Sequence, residues 1–192
     1  MVPQAASCLL KAACVAACVL GGTASAGAVP IAAAGTEGTS VIVGTTGTVT
    51  ATFQGQSAGY TSLLSLQNTG QTTGGGTVFN NQSSPVGGSV TLGTFEAGTE
   101  LSFRLFVTDT GQSFFTGAAG GNPDGRAHAR VQENYQPNTT LVSFEDLFDF
   151  DYDDFSFTLT VTPASSPVPE PATLALLGTA LLGLGLGARR SR

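Results

Sequence analysis

The chain has 192 residues, enough for one ordinary domain. Charged residues are 10% of it, and 13 acids against 7 Lys and Arg give a formal net charge of −6. That balance leaves no basic patch to neutralise phosphates and excludes nucleic-acid binding. The length argues against a large multidomain enzyme.

The charges divide the chain into an apolar head, an acidic middle and an apolar tail with a basic end. Lys11 is the single Lys, and Arg189, Arg190 and Arg192 are half of the six Arg. Residues 27–163 hold twelve of the acids but only Arg104, Arg126 and Arg130, a net charge of −9.

Residues 1–26 read as a secretory signal peptide. Lys11 precedes the apolar run Ala12–Leu20, Gly21-Gly22 break the helix, and Ala24-Ser25-Ala26 offer the small residues a signal peptidase needs. The run is too short to span a bilayer. Val15-Ala16-Ala17-Cys18 also sets small residues before a Cys, the order of a lipoprotein signal, yet six residues between Lys11 and Cys18 leave almost no apolar region. Cys8, Cys14 and Cys18 all lie in the head, so the processed chain has no disulfide, thiolate nucleophile or Cys-based zinc site.

Residues 27–163 read as an all-β domain, an antiparallel β-sandwich. Thr48–Phe53, Ser89–Phe95, Leu101–Val107 and Phe155–Val161 alternate apolar and polar residues. In the last of these, Phe155, Phe157, Leu159 and Val161 should face the core, with Ser156, Thr158, Thr160 and Thr162 toward solvent. Leu63–Leu66, Thr77–Phe79, Ala127–Val131 and Thr140–Phe144 are shorter strand candidates, and Val41–Val43 is a single apolar strand in an otherwise loosely ordered Gly27–Gly47. Gly-, Asn- and Pro-rich turns separate them, and no helical periodicity of useful length occurs. Phe, 12 of 15 aromatics, should build the core with the aliphatics.

Between two of these strands lies a concentration of acid. Glu145, Asp146, Asp149, Asp151, Asp153 and Asp154 place six carboxylates in ten residues. Such crowding favours a hard divalent cation, calcium above all, which takes six to eight oxygens and relieves the repulsion. Asp149, Asp151 and Asp153 alternate, which would bring their oxygens to one side of an extended loop. An EF-hand is rejected, because Asp154 stands where Gly is needed and Thr160 where Glu is needed. The alternative is a solvated acidic turn. Phe148, Phe150 and Tyr152 are even-numbered but Phe155 and Phe157 odd, which predicts a bulge or tight turn near Asp153-Asp154. Phe144-Glu145-Asp146, Asp151-Tyr152-Asp153-Asp154 and Phe155–Val161, with Asn122-Pro123-Asp124-Gly125 upstream, resemble a domain of unknown function common in exported bacterial proteins. The Gly-rich stretch usual there is replaced by Leu147-Phe148-Asp149-Phe150.

No catalytic constellation stands out. His128, the sole His, reads as a structural strand residue. A glycosidase pair is disfavoured, because crowded acids lack the separate environments that split acid from base.

After a Pro/Ser linker at 164–171, Ala172–Ala188 is an uncharged stretch of 17 residues, about 25 Å as a helix and just able to cross a bilayer. Arg189-Arg190-Ser191-Arg192 follow, a cationic end that should stay cytoplasmic. Pro169-Glu170-Pro171 stands before the span, where flanking prolines present Glu170 on a stiff, extended stalk. Pro169, Glu170, Pro171, the span, and Arg189 and Arg190 together resemble the PEP-CTERM sorting signal of Gram-negative bacteria. The resemblance implies an exosortase partner that removes the tail, transient residence in the inner membrane, a host making exopolysaccharide, and a mature protein at the surface or in the extracellular matrix. The expectation is therefore an all-β domain flanked by an N-terminal signal helix and a C-terminal transmembrane helix, non-enzymatic in function. The alternative activity is a calcium-dependent carbohydrate- or protein-binding module.

Overall fold

The computed structural model describes residues 29–68 and 76–165. The expected signal helix, PEP segment, membrane span and basic end lie outside the described residues. Among those described, no helix is long and apolar enough to cross a membrane.

Twelve strands form in chain order: β1 (Thr36–Glu37), β2 (Val41–Ile42), β3 (Gly47–Gly55), β4 (Ser62–Leu66), β5 (Thr77–Asn80), β6 (Ser89–Phe95), β7 (Glu100–Leu101), β8 (Phe103–Val107), β9 (Gln112–Phe115), β10 (Ala129–Gln136), β11 (Thr139–Phe144) and β12 (Phe155–Pro163). One turn of 3-10 helix at Ala119–Gly121 is the only helical element among the described residues. A six-stranded sheet runs β1-β10-β11-β12-β3-β6, a four-stranded sheet runs β5-β4-β8-β9, and β2 pairs with β7. Every pairing is antiparallel. The domain is all-β, as the alternation predicts.

The two larger sheets share one core. Phe53 of β3 meets Phe79 of β5 at 5.7 Å between ring centroids, and Phe103 of β8 meets Phe157 of β12 edge-on at 5.0 Å. Val49, Ala51, Leu64, Leu66, Leu105, Val142, Phe144 and Phe155 fill the space between them. Burial of this apolar surface is the main force holding the layers together.

Three features depart from simple alternation. The expected strand Leu101–Val107 divides at Ser102, whose N–H donates to Asn68 Oδ1 at 2.9 Å, so β7 and β8 enter different sheets. In β6, Leu92 and Phe95 are three residues apart yet both buried. Leu92 is the extra residue of a bulge against Val49–Thr50, and Gly93 beside it takes φ +139°, a conformation open to Gly. In β12, Ser156 and Thr158 are buried rather than solvent-facing. The segment before β1 reaches Ser156, since Ala32 N–H donates to Ser143 Oγ at 2.8 Å and Ser143 Oγ lies 2.9 Å from Ser156 Oγ, while Thr158 Oγ1 accepts from Gln54 Nε2 at 2.9 Å. Residues 29–33, expected to be loose, thus close the outer face of the central strands. β1 and β9 complete sheet edges that alternation does not reveal.

β12 also fixes the polarity of the domain. Phe155 begins beside the acidic segment, and Pro163 ends opposite Gly47, where Ala164 N–H donates to Thr46 O at 3.1 Å. A nine-residue strand at about 3.4 Å per residue separates these ends by roughly 27 Å. The acidic segment therefore lies at the pole opposite the chain's exit toward the C-terminus.

Candidate metal site

Residues 145–154 connect β11 to β12, with Phe144 paired to Phe155 at the base of the loop. Asp154 closes the neck by accepting Asp146 N–H on Oδ2 at 2.9 Å. Ser57 N–H donates to Asp153 O at 2.9 Å and ties the loop to the β3–β4 connection.

Of the bulge or tight turn expected near Asp153-Asp154, the structure has the turn, just before Asp153, where Asp153 N–H donates to Asp151 Oδ1 at 3.2 Å. The change of apolar phase comes from left-handed backbone at Phe150, φ +55°, and Tyr152, φ +63°. Aromatic residues rarely adopt this conformation, at a cost of about 1–3 kcal/mol each. Their rings are held from β10 and the turn before it: Arg126 lies 3.9 Å over Phe150, and Arg130 4.2 Å over Tyr152. Tyr152 Oη donates to Ala127 O at 3.2 Å and its ring is buried. Burial and the nearby Glu37 charge push its hydroxyl up to about 12. Phe148, by contrast, is 65% exposed, so the even-numbered aromatics do not share a face.

The backbone path brings Glu145, Asp149 and Asp154 together, each offering an oxygen within 4.8 Å of the other two. Two calcium ligands on opposite sides of one ion stand about 4.6–5.2 Å apart, twice the metal–oxygen distance, so this spacing fits one ion. Glu145 is 0% exposed. Its Oε1 accepts Leu147 N–H at 2.9 Å, but its Oε2 is buried with no hydrogen-bond partner among the described residues. A buried acceptor without a partner is costly and is the atom a cation would satisfy.

Burial pushes the Glu145 carboxyl up to about 8, against the Leu147 N–H and with help from the Asp154 and Asp149 charges. Burial and Asp154 likewise raise Asp146 to about 7, although Ser62 Oγ donates to it at 3.4 Å. Asp153 is raised by burial and by the neighbouring Asp151 charge. Asp146, Asp151 and Asp153 line the same cleft of about 410 Å³ without joining the group of three. The expected Asp149-Asp151-Asp153 row is thus replaced by a set drawn from both ends of the loop. Ser57, Gly59 and Tyr60 form the facing wall. Nothing in the spacing of the sequence pointed to that wall, because it comes from a segment some 85 residues earlier.

His128 lies just before β10 and is fully buried. Its ring stacks on Phe114 at 3.7 Å, its Nδ1–H donates to Glu145 O at 3.1 Å, and its Nε2 lies 2.9 Å from Asp124 Oδ2. Burial opposes ionisation of Asp124, but hydrogen bonds from His128 and from Arg126 N–H hold its carboxyl below the ordinary range. Both ring nitrogens are engaged within the fold, and the residue expected in a strand stands one position before β10.

These features define an antiparallel β-domain with a carboxylate-lined polar loop, joined at its opposite pole to a C-terminal extension. That extension carries the identifying mark: residues 167–191 match the PEP-CTERM protein-sorting motif. That motif supports export toward the cell surface and implies an exosortase as processing partner. The matched stretch contains Pro169, Glu170, Pro171, Arg189 and Arg190. Comparison with curated proteins finds none that matches the chain.

Proposed function

We propose that this is a non-enzymatic surface or extracellular-matrix protein whose β-domain carries a calcium-binding loop. The observation that carries the reading is the buried, unpartnered Glu145 Oε2 in a carboxylate group whose oxygens lie within 4.8 Å. Asp149 and Asp154 are the further protein ligands, and the open side of the cleft leaves coordination positions for water or a partner. The non-enzymatic part rests on His128, the usual general base, being enclosed with both nitrogens engaged.

In this reading, residues 1–26 are removed by signal peptidase, and the 172–188 span holds the chain in the inner membrane until the exosortase acts. Sorting gives the protein its address, and the calcium loop gives the module its activity there. Thermal melting during a calcium titration tests the loop. Calcium at about 100 times its Kd adds roughly 2.7 kcal/mol to stability. A clear rise in Tm for the wild type and its loss in Glu145→Gln is the expected result. No shift at millimolar calcium removes the proposal.

A further inference from the structure

The acidic cleft is bordered by more than carboxylates. Tyr60 and Phe148 line it, and they are 38% and 65% exposed. Among the described residues the exposed aromatics are Tyr60, Tyr135 and Phe148, so two of three stand at this one cleft. Phe148 makes no ring-to-ring contact with another described aromatic, and its exposure contributes nothing to the core. Two exposed rings on one cleft leave apolar surface there that a ligand could cover.

The remaining lining narrows the partner. Ser57, Gly59, Leu147 and the acids complete the wall, with no Lys or Arg. Three carboxylates around one divalent ion leave an excess negative charge, so an anionic ligand is repelled. A hydroxyl-rich neutral ligand is not. Vicinal hydroxyls of a sugar can take open positions on a hard cation that seeks six to eight oxygens. The C–H face of the same ring can cover an aromatic side chain, burying apolar area. A volume of about 410 Å³ lies within the range of small-ligand sites. The cleft lies at the end of β12 opposite Ala164.

We infer that the cleft is a calcium-bridged receptor for a neutral polysaccharide, with Phe148 and Tyr60 as its stacking faces and vicinal sugar hydroxyls completing the coordination. The inference rests on the calcium reading of the same loop. Affinity electrophoresis of the β-domain-containing full chain through gels cast with mannan, galactan, dextran or alginate tests it, each with calcium or with EDTA. The expected result is retardation by at least one neutral polymer in calcium alone. Phe148→Ala and Tyr60→Ala should weaken that retardation at least tenfold, while the calcium-induced rise in Tm persists in both. A Tm response without retardation by any neutral polymer overturns this inference and leaves the calcium reading standing. Retardation by alginate alone, or retardation unchanged in both variants, also overturns it. Absence of the Tm response removes the calcium reading and this inference with it.

Discussion

Glu145 and His128 are joined twice: Glu145 N–H donates to His128 O at 2.9 Å, and His128 Nδ1–H donates back to Glu145 O at 3.1 Å. The pair extends the β10–β11 ladder one step beyond Phe144. It fixes the first carboxylate of the loop to the rigid end of a sheet, as a preorganised site requires. Replacing His128 by Phe keeps an aromatic against Phe114 but strands the buried Glu145 O. Urea denaturation should show a loss of about 1–3 kcal/mol, the cost of orphaned buried polar groups. The calcium response should weaken as well, because Glu145 loses its anchor.

Asp151 and Asp153 do not join the close carboxylate group, whereas Asp154 does. Asp154→Asn should therefore abolish the calcium-induced rise in Tm, and Asp151→Asn should only reduce it. Loss in Asp151→Asn with the rise kept in Asp154→Asn, read by the same titration, would favour the alternating Asp149-Asp151-Asp153 row instead.

Without calcium, the loop makes the domain sensitive to base. Glu145 is raised to about 8 and Asp146 to about 7. Between the ordinary carboxylate range and those values the folded state keeps protons that the unfolded chain has released. Their stabilising effect is complete below about pH 4 and disappears as pH rises through 7 to 8. Glu37 and Asp124 are lowered and act at more acid pH, so they do not mask this window. In EDTA, Tm should fall from pH 5 to pH 8.5, and Glu145→Gln should flatten the slope. A wild-type Tm independent of pH over that range would contradict the assignment.

The two layers depend on a few aromatic contacts. Phe157 is fully buried and touches Phe103, Phe144 and Phe155. Truncating it to Ala should cost about 3–5 kcal/mol, measured by urea denaturation. Phe148→Ala, at an exposed site, should leave stability within about 0.5 kcal/mol.

Glu170 carries the sole charge of the Pro169-Glu170-Pro171 segment within the matched sorting motif. Replacing it, or both prolines, should leave full-length protein in the inner-membrane fraction of the native host. Intact mass of the recovered protein reads the outcome directly, and normal processing of these variants would remove the segment as the recognition element.

Local pattern alone determined most of the strands and the address. Apolar alternation marked β3, β6, β8 and β12 because successive side chains in extended chain point to opposite faces. The Pro-Glu-Pro, apolar, Arg order was legible because a sorting signal is read as linear sequence, without a fold. Tertiary structure decided which acids meet, because left-handed turns at Phe150 and Tyr152, held under Arg126 and Arg130, return Asp154 to Glu145. It also decided that Ser143 and Ser156 are interior, because a segment more than a hundred residues upstream of Ser143 lies across them. Such outcomes turn on contacts between distant parts of the chain, which alternation within a strand does not encode.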